Sequence, residues 1–161
     1  MLKIGAIIVP INGSLRENES SYTVEYCELK LIITRSENDK KITGAIQNLS
    51  FKPKVYDVDT HHYDLPVSDK QTVKIKCKDK HNVAAIIYTS RTTGKPKGAM
   101  ITHDNLLAVK MELQALGLLN VDETRAIDEQ LTMLVTLPIS HIYGLTVTMM
   151  AYALGARIVL M

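Results

Sequence analysis

The residues best suited to chemistry are gathered in TSRTTGKPKG, residues 89–98, directly after the apolar run AAIIY. Hydroxyls, lysines and glycines in one loop suit an anion. Backbone N–H groups can form a cradle, hydroxyls add further hydrogen bonds, and lysines supply point charges. A polyphosphate needs those groups. The loop is not a Walker loop, because position 89 is Thr and Pro96 follows Gly94-Lys95 where Ser or Thr is required. Nor does it contain the G-x-G-x-x-G of a dinucleotide-binding turn. Composition alone leaves a phosphate cradle and a polar surface turn both standing. Elsewhere, His141 beside a turn reads on its own as a structural histidine. The run His61-His62-Tyr63-Asp64 lacks two further ligands at metal spacing and reads as a solvated loop.

These groups belong to a chain of 161 residues with 46% hydrophobic content, enough to bury a core without staples. Nineteen basic against 17 acidic residues leave a formal charge of +2, and no basic cluster is interleaved with aromatics, so nucleic acid is not an expected partner. Cys27 and Cys77 stand far apart, without CxxC or Cys/His spacing, which indicates neither a disulfide framework nor a zinc site. No secretory signal opens the chain, and the Val-Leu-Met ending carries no peroxisomal address, so the default expectation is cytoplasmic. Residues 131–156 contain no Asp, Glu, Lys or Arg. Pro138, Ser140, His141 and Gly144 interrupt the stretch near its middle, which points to a buried strand, a turn and a buried helix rather than a membrane span.

The elements that must position the loop follow from periodicity. Strands are expected over GAIIVPI (residues 5–11), 31–34, 54–58, 84–88, 133–137 and 157–161. Helices are expected over 17–29, around Ile42, Ala45 and Ile46, from Thr102 toward Leu118, and over 143–154. Thr102 and Asn105 make a cap, Leu106, Val109, Leu113 and Leu116 share a face, and Gly155 is a left-handed stop. Val73, Ile75 and Cys77 alternate with three lysines, as on a solvated edge strand, and the charged residues 122–129 form an exposed connection. Strand–helix–strand alternation at this spacing predicts an α/β fold of layered βαβ units with a mostly parallel sheet.

The stretch AAIIYTSRTTGKPKGAMITHDNLLA resembles the phosphate-loop signature of the adenylate-forming superfamily, Y-T-S-G-T-T-G-x-P-K-G, differing at Arg91. The opening KIGAIIVPIN is similar to that superfamily's K-x-G-A-x-x-x-P-x-N. Near the end LPISHIYGL resembles L-P-x-F-H-x-Y-G-L, with Ser140 in place of the aromatic residue. Three motifs in order span almost the whole chain. The resemblance implies the chemistry of acyl-CoA synthetases and 4-coumarate–CoA ligases: ATP and Mg2+ activate a carboxylic acid as its acyl-adenylate, and coenzyme A takes the acyl group. It also implies site residues. Thr89, Ser90, Thr92, Thr93 and the N–H of Gly94 would hold the phosphates, and Lys97 would neutralise the departing pyrophosphate. Gly98 would let the chain bend into Ala99. His141 and Tyr143 would wall the acid pocket. His rather than Asp at 141 points away from amino-acid activation, because no carboxylate is offered to an amine.

Two departures and several missing segments shape the remaining expectations. Arg91, with its Cβ and long side chain, would crowd the cradle while adding charge, and Ser140 would remove an aromatic wall and enlarge or wet the pocket. The superfamily's Y-G-x-T-E segment, whose Glu helps hold magnesium, has no counterpart, and neither does the ribose-gripping T-G-D or the small carboxyl-terminal domain with its lysine. Residues 1–161 are therefore expected to be a central slice of the large domain, ending inside an apolar strand. The slice holds no catalytic residue or metal ligand of its own and is expected to be inactive alone. The competing expectation is a non-catalytic remnant that binds polyphosphate or a protein partner.

Overall fold

The computed structural model describes residues 2–60, 79, 81–89, 96–115 and 132–160. The expectations for His61 to Asp64, the lysine-coated strand with Cys77, the connection 122–129, and Leu116 and Leu118 lie outside them. The chain divides into two compact units, Ile11–Lys74 and Met1–Pro10 with Ile75–Met161.

In the first unit, helix α1 (Glu17–Tyr26) is followed by strand β1 (Leu31–Thr34), helix α2 (Asp39–Gln47) and strand β2 (Lys54–Asp57). The strands pair in parallel, Ile32 beside Val55 and Thr34 beside Asp57, with α2 as the crossover. Val24, Ile32 and Ile42 form the buried core, and Ile11, Leu29, Ile46, Leu49 and Phe51 pack around it. The face that α1 buries is Ser20, Thr23 and Val24, small residues at helical spacing. Thr23 satisfies its hydroxyl on the Glu19 carbonyl at 3.2 Å. Glu19 in turn accepts from the N–H of Arg16 at 2.8 Å, which ties down the helix start. Helix α1 ends earlier than expected, at Tyr26, because Glu28 turns left-handed (φ 45). Glu28 N–H donates to Glu25 O at 3.0 Å, and Leu29 N–H to Val24 O at 3.2 Å. This is a Schellman close with Leu29 folded back beside Val24, and it sends the chain into β1.

In the second unit, strands β3 (Val83–Thr89) and β4 (Lys97–Thr102) precede helix α3 (His103–Ala115). Strand β5 (Thr132–Val135), helix α4 (Ile142–Ala153) and strand β6 (Arg157–Leu160) follow. Strands β5 and β6 pair in parallel across α4, as expected of a βαβ unit. Strands β3 and β4 instead form an antiparallel hairpin. The sequence reading, which passed from the loop straight to the helix, did not contain β4. The expected strand over residues 5–11 shrinks to a single parallel bridge, Ile8 to Ala85, made by Ile8 N–H to Ala84 O and Ile86 N–H to Ile8 O, both 2.9 Å. Extending that ladder would need an N–H at position 10, which Pro10 lacks, and Gly5 turns away with φ 75. Apart from β3–β4 the pairings are parallel, so the α/β reading holds.

Helix α3 begins at the expected cap. Asn105 N–H donates to Thr102 Oγ1 at 3.1 Å, and Thr102 N–H to Asn105 Oδ1 at 3.0 Å. Helix α4 closes as α1 does, with Gly155 (φ 65) donating to Tyr152 O and Ala156 N–H to Ala151 O at 2.9 Å. No helix among the described residues is long and apolar enough to cross a membrane.

Two substitutions test these joints. Glu28→Gly removes a side chain from a left-handed position where it costs about 1–2 kcal/mol, against roughly 0.5–1 kcal/mol of added backbone entropy. The exposed Glu28–Lys30 pair at 3.9 Å offers little to lose. Thermal unfolding is expected to show a gain of about 0.5–1 kcal/mol; a loss would contradict the cap. Gly144→Ala should do the reverse. A Cβ there would collide with the backbone carbonyls of Pro138 and Leu137, which cannot rotate away. Overpacking of about 2–3 kcal/mol outweighs the roughly 1 kcal/mol that Ala gains in a helix, so a net loss is expected.

Candidate functional site

Strand β3 delivers its carboxyl end to the loop. Ala84, Ala85 and Ile87 are buried, and the β-branched Ile86 and Ile87 suit a pleated, covered sheet. The cross-strand partners are Thr89 with Lys97, Tyr88 with Gly98, Ile87 with Ala99, Ile86 with Met100 and Ala85 with Ile101. The candidate loop therefore connects two antiparallel strands, and Thr89 and Lys97 are the described pair next to it. Thr89 Oγ1 donates to the Lys97 carbonyl at 3.4 Å, a long bond at a solvent-exposed position. Ser90, Thr92, Thr93 and Gly94, with Arg91, lie outside the described residues.

Alternation across the pleat decides where the ends of the loop point. Side chains at 85, 87 and 89 share one face of the hairpin with their partners at 101, 99 and 97. That face is the covered one. Ala85 and Ile87 form a buried cluster with Leu145 of α4, and Ile8, Ile101 and Met149 pack against it. Lys97 and Thr89 thus project from the side of the hairpin on which α4 lies. Both are exposed, one repeat beyond the buried Ile87 and its exposed partner Ala99.

Helix α4 carries the other candidates. His141 is its N-cap, in extended backbone (φ −99, ψ 143), and its Nδ1 accepts from the N–H of Tyr143 at 3.3 Å. A cap made this way requires a lone pair on Nδ1, so the neutral ring carries its proton on Nε2. His141 N–H donates to Pro138 O at 2.9 Å, and Leu145 N–H to His141 O at 2.9 Å. The Leu-Pro turn after β5 lies directly on Gly144, so the imidazole is mounted between a rigid turn and the first helical turn. Tyr143 is 60% exposed. Leu145 follows His141 by one helical turn, and Ile87 precedes Thr89 by one strand repeat of roughly 7 Å. The two candidate groups therefore hang from a single apolar cluster. The structural reading of His141 is correct as far as capping goes, and its exposed Nε2–H remains available as a donor.

Gly98 corrects one expectation. It lies inside β4 and is not among the residues with positive φ, so it is not a bend. A Cβ added there would stand 2.7 Å from Ile86 Cγ2 and 3.3 Å from Tyr88 Cζ. Glycine is present because the strand crosses those side chains closely. Tyr88 and Gly144 also matter to the geometry, and sequence reasoning assigned neither a role. The tyrosine was legible only as the end of an apolar run. Among the described residues no three His, Cys, Asp or Glu side chains converge, so none of them is assigned to magnesium.

The chain is similar to known proteins in sequence and in fold. The family described as AMP-binding enzyme matches residues 1–161. The 4-coumarate–CoA ligase-like 6 protein of Arabidopsis thaliana is 30% identical over 168 residues, covering 100% of this chain and 29% of the relative. The 2-succinylbenzoate–CoA ligase of Bacillus licheniformis is 30% identical over 169 residues, covering 98% of this chain and 30% of the relative. Among solved structures, the inhibitor-bound N-terminal domain of FACL13 from Mycobacterium tuberculosis superposes with a TM-score of 0.75 at 25% identity, over 99% of this chain and 38% of that one. The o-succinylbenzoate CoA synthetase (MenE) of Bacillus subtilis, solved with its acyl-adenylate intermediate, gives 0.70 at 28% identity, over 99% of this chain and 37% of that one. The chain spans less than a third of the length of these two curated relatives. With the family matched over every residue, the chain belongs to the AMP-binding, adenylate-forming enzyme family.

Proposed function

We propose that residues 1–161 are the phosphate-loop and acid-pocket portion of the large domain of an AMP-forming acid–CoA ligase. The observation that carries this reading is the shared face: Thr89 and Lys97 project from the side of the hairpin on which the helix capped by His141 is packed. In the reaction a carboxylate oxygen attacks the α-phosphorus of ATP, the bond to the β-phosphate oxygen breaks, and pyrophosphate leaves. The thiol of coenzyme A then attacks the acyl carbon, and AMP departs. The substrate is a small-molecule carboxylic acid.

In this reading Thr89, Ser90, Thr92 and Thr93, with the N–H of Gly94, hold the β- and γ-phosphates. Lys97 meets the charge that gathers on pyrophosphate. Lys97 suits that role because its backbone is held at the loop's foot by strand pairing, and among the described residues its ammonium makes no ion pair. His141 offers Nε2–H to the acid or its adenylate, and the Tyr143 ring lines the same wall. Magnesium would neutralise phosphate charge when bound. The 161 residues carry neither Y-G-x-T-E nor T-G-D, so positioning for in-line attack is incomplete, and polyphosphate binding without turnover is the expected behaviour of these residues alone.

Calorimetry with magnesium pyrophosphate and with ATP tests the loop. Lys97→Ala is expected to weaken both by roughly tenfold, the loss of one charge-assisted contact at an exposed site. Equal affinities for variant and wild type would refute the assignment. The two roles of His141 separate in a matched pair of variants. His141→Asn keeps a capping acceptor and should leave the melting temperature unchanged, while His141→Ala should cost about 1 kcal/mol. Both should weaken binding of an acyl sulfamoyl-adenosine, a stable mimic of the acyl-adenylate. If His141→Asn binds the mimic as wild type does, His141 is a cap and nothing more.

A further inference from the structure

We propose that Gly98 is a register key for the β3–β4 hairpin, that Ile86 and Tyr88 form its lock, and that these three are positioning residues for Lys97. Residues 90–96 lie between the strands, so loop length does not dictate the pairing as a two-residue turn would. At the far end the register shifts between Val83 and Ala85, so the start of α3 cannot dictate the pairing at the loop either. The segment next to the loop needs a register constraint of its own.

Tyr88 and Gly98 supply it. They are cross-strand partners, and Ile86 lies one repeat away on the same face. An added Cβ at Gly98 would lie 2.7 Å from Ile86 Cγ2, with the Tyr88 ring at 3.3 Å. Slipping β4 by one residue in either direction brings Lys97 or Ala99 to that place, and each carries the Cβ that does not fit. A slip would also carry every β4 side chain to the opposite face. Lys97 would then project with Ile86 and Tyr88, away from Thr89, Leu145 and the capped end of α4. The fit of one glycine under one ring thus decides which side of the sheet receives the lysine.

Nuclear magnetic resonance and a pyrophosphate titration of the full chain test this together. In wild type a cross-strand backbone contact joins residues 89 and 97. Gly98→Ala should abolish or move that contact and weaken magnesium pyrophosphate by tenfold or more. Adding Ile86→Ala to Gly98→Ala removes the offending Cγ2 and should restore both the contact and the affinity. Combining Gly98→Ala with Ala99→Gly should move the contact of residue 89 from position 97 to position 98. A Gly98→Ala protein that keeps the 89–97 contact overturns the proposal, as does an Ile86→Ala/Gly98→Ala protein that fails to regain it. The affinity arm rests on the phosphate-loop reading and the contact arm does not. A wild type that shows the contact but ignores pyrophosphate refutes that reading alone, and the contacts still decide the key.

Discussion

Burial of Ala85 and Ile87 against Leu145 is the contact on which the candidate site depends. It joins the hairpin that flanks residues 90–96 to the helix capped by His141. Burying an Ile or Leu side chain contributes roughly 1.5–3 kcal/mol, more than any exposed polar bond described at the loop. The polar groups are therefore placed by apolar packing beneath them rather than by each other. The long 3.4 Å bond from Thr89 to Lys97 fits that view: it decorates a pair already held by the ladder. Among the described residues no ion pair competes for the Lys97 charge, and the packing beneath makes such an arrangement stable.

Both units reach their parallel strands by one device. A helix ends in a left-handed residue, two N–H groups turn back to the last carbonyls, and the chain leaves as a strand. At the end of α4 the left-handed residue is Gly155, where an added Cβ would meet nothing within 4 Å. At the end of α1 it is Glu28, which bears the strain of a Cβ in the same conformation. The opposite end of α4 is equally determined. Gly144 admits the Pro138 carbonyl, Pro138 accepts from His141, and His141 caps Tyr143. Each of these short-range bonds restricts the imidazole further, so the orientation of Nε2 is a consequence of how the helix starts.

Much of this was legible in the residues. The apolar runs at 31–34 and 84–88, the Thr102–Asn105 cap and the Gly155 stop all appear in the structure, because each is a local preference that the tertiary fold agrees with. Strand β4 was not legible. Lys97, Gly98 and Ala99 have little intrinsic preference for a strand, and their pairing depends on Tyr88 and Ile86 across a loop. The bridge at Ile8 failed as a full strand for a reason that was visible but not weighed, the missing N–H of Pro10. The part of the site that structure could add is its sidedness. Alternation at 85, 87 and 89 is plain in the sequence, yet only the register with 101, 99 and 97 shows that Thr89 and Lys97 share the face covered by α4.

Sidedness also separates what the loop must do structurally from what it must do chemically. The constraints that fix the hairpin are Tyr88, Ile86 and Gly98 on one face and Ala85, Ile87 and Leu145 on the other, all outside residues 90–96. A substitution within 90–96 alters none of these positions. Arg91, where the family signature has glycine, is such a substitution. Under the proposed phosphate-loop reading its consequence belongs to the ligand, since a Cβ and a guanidinium at 91 would compete with a phosphate for space while adding positive charge. A fold anchored this way can keep its architecture while its loop changes chemistry. A close structural likeness to acid–CoA ligases is then no guarantee of equal affinity for ATP, and the two must be measured separately.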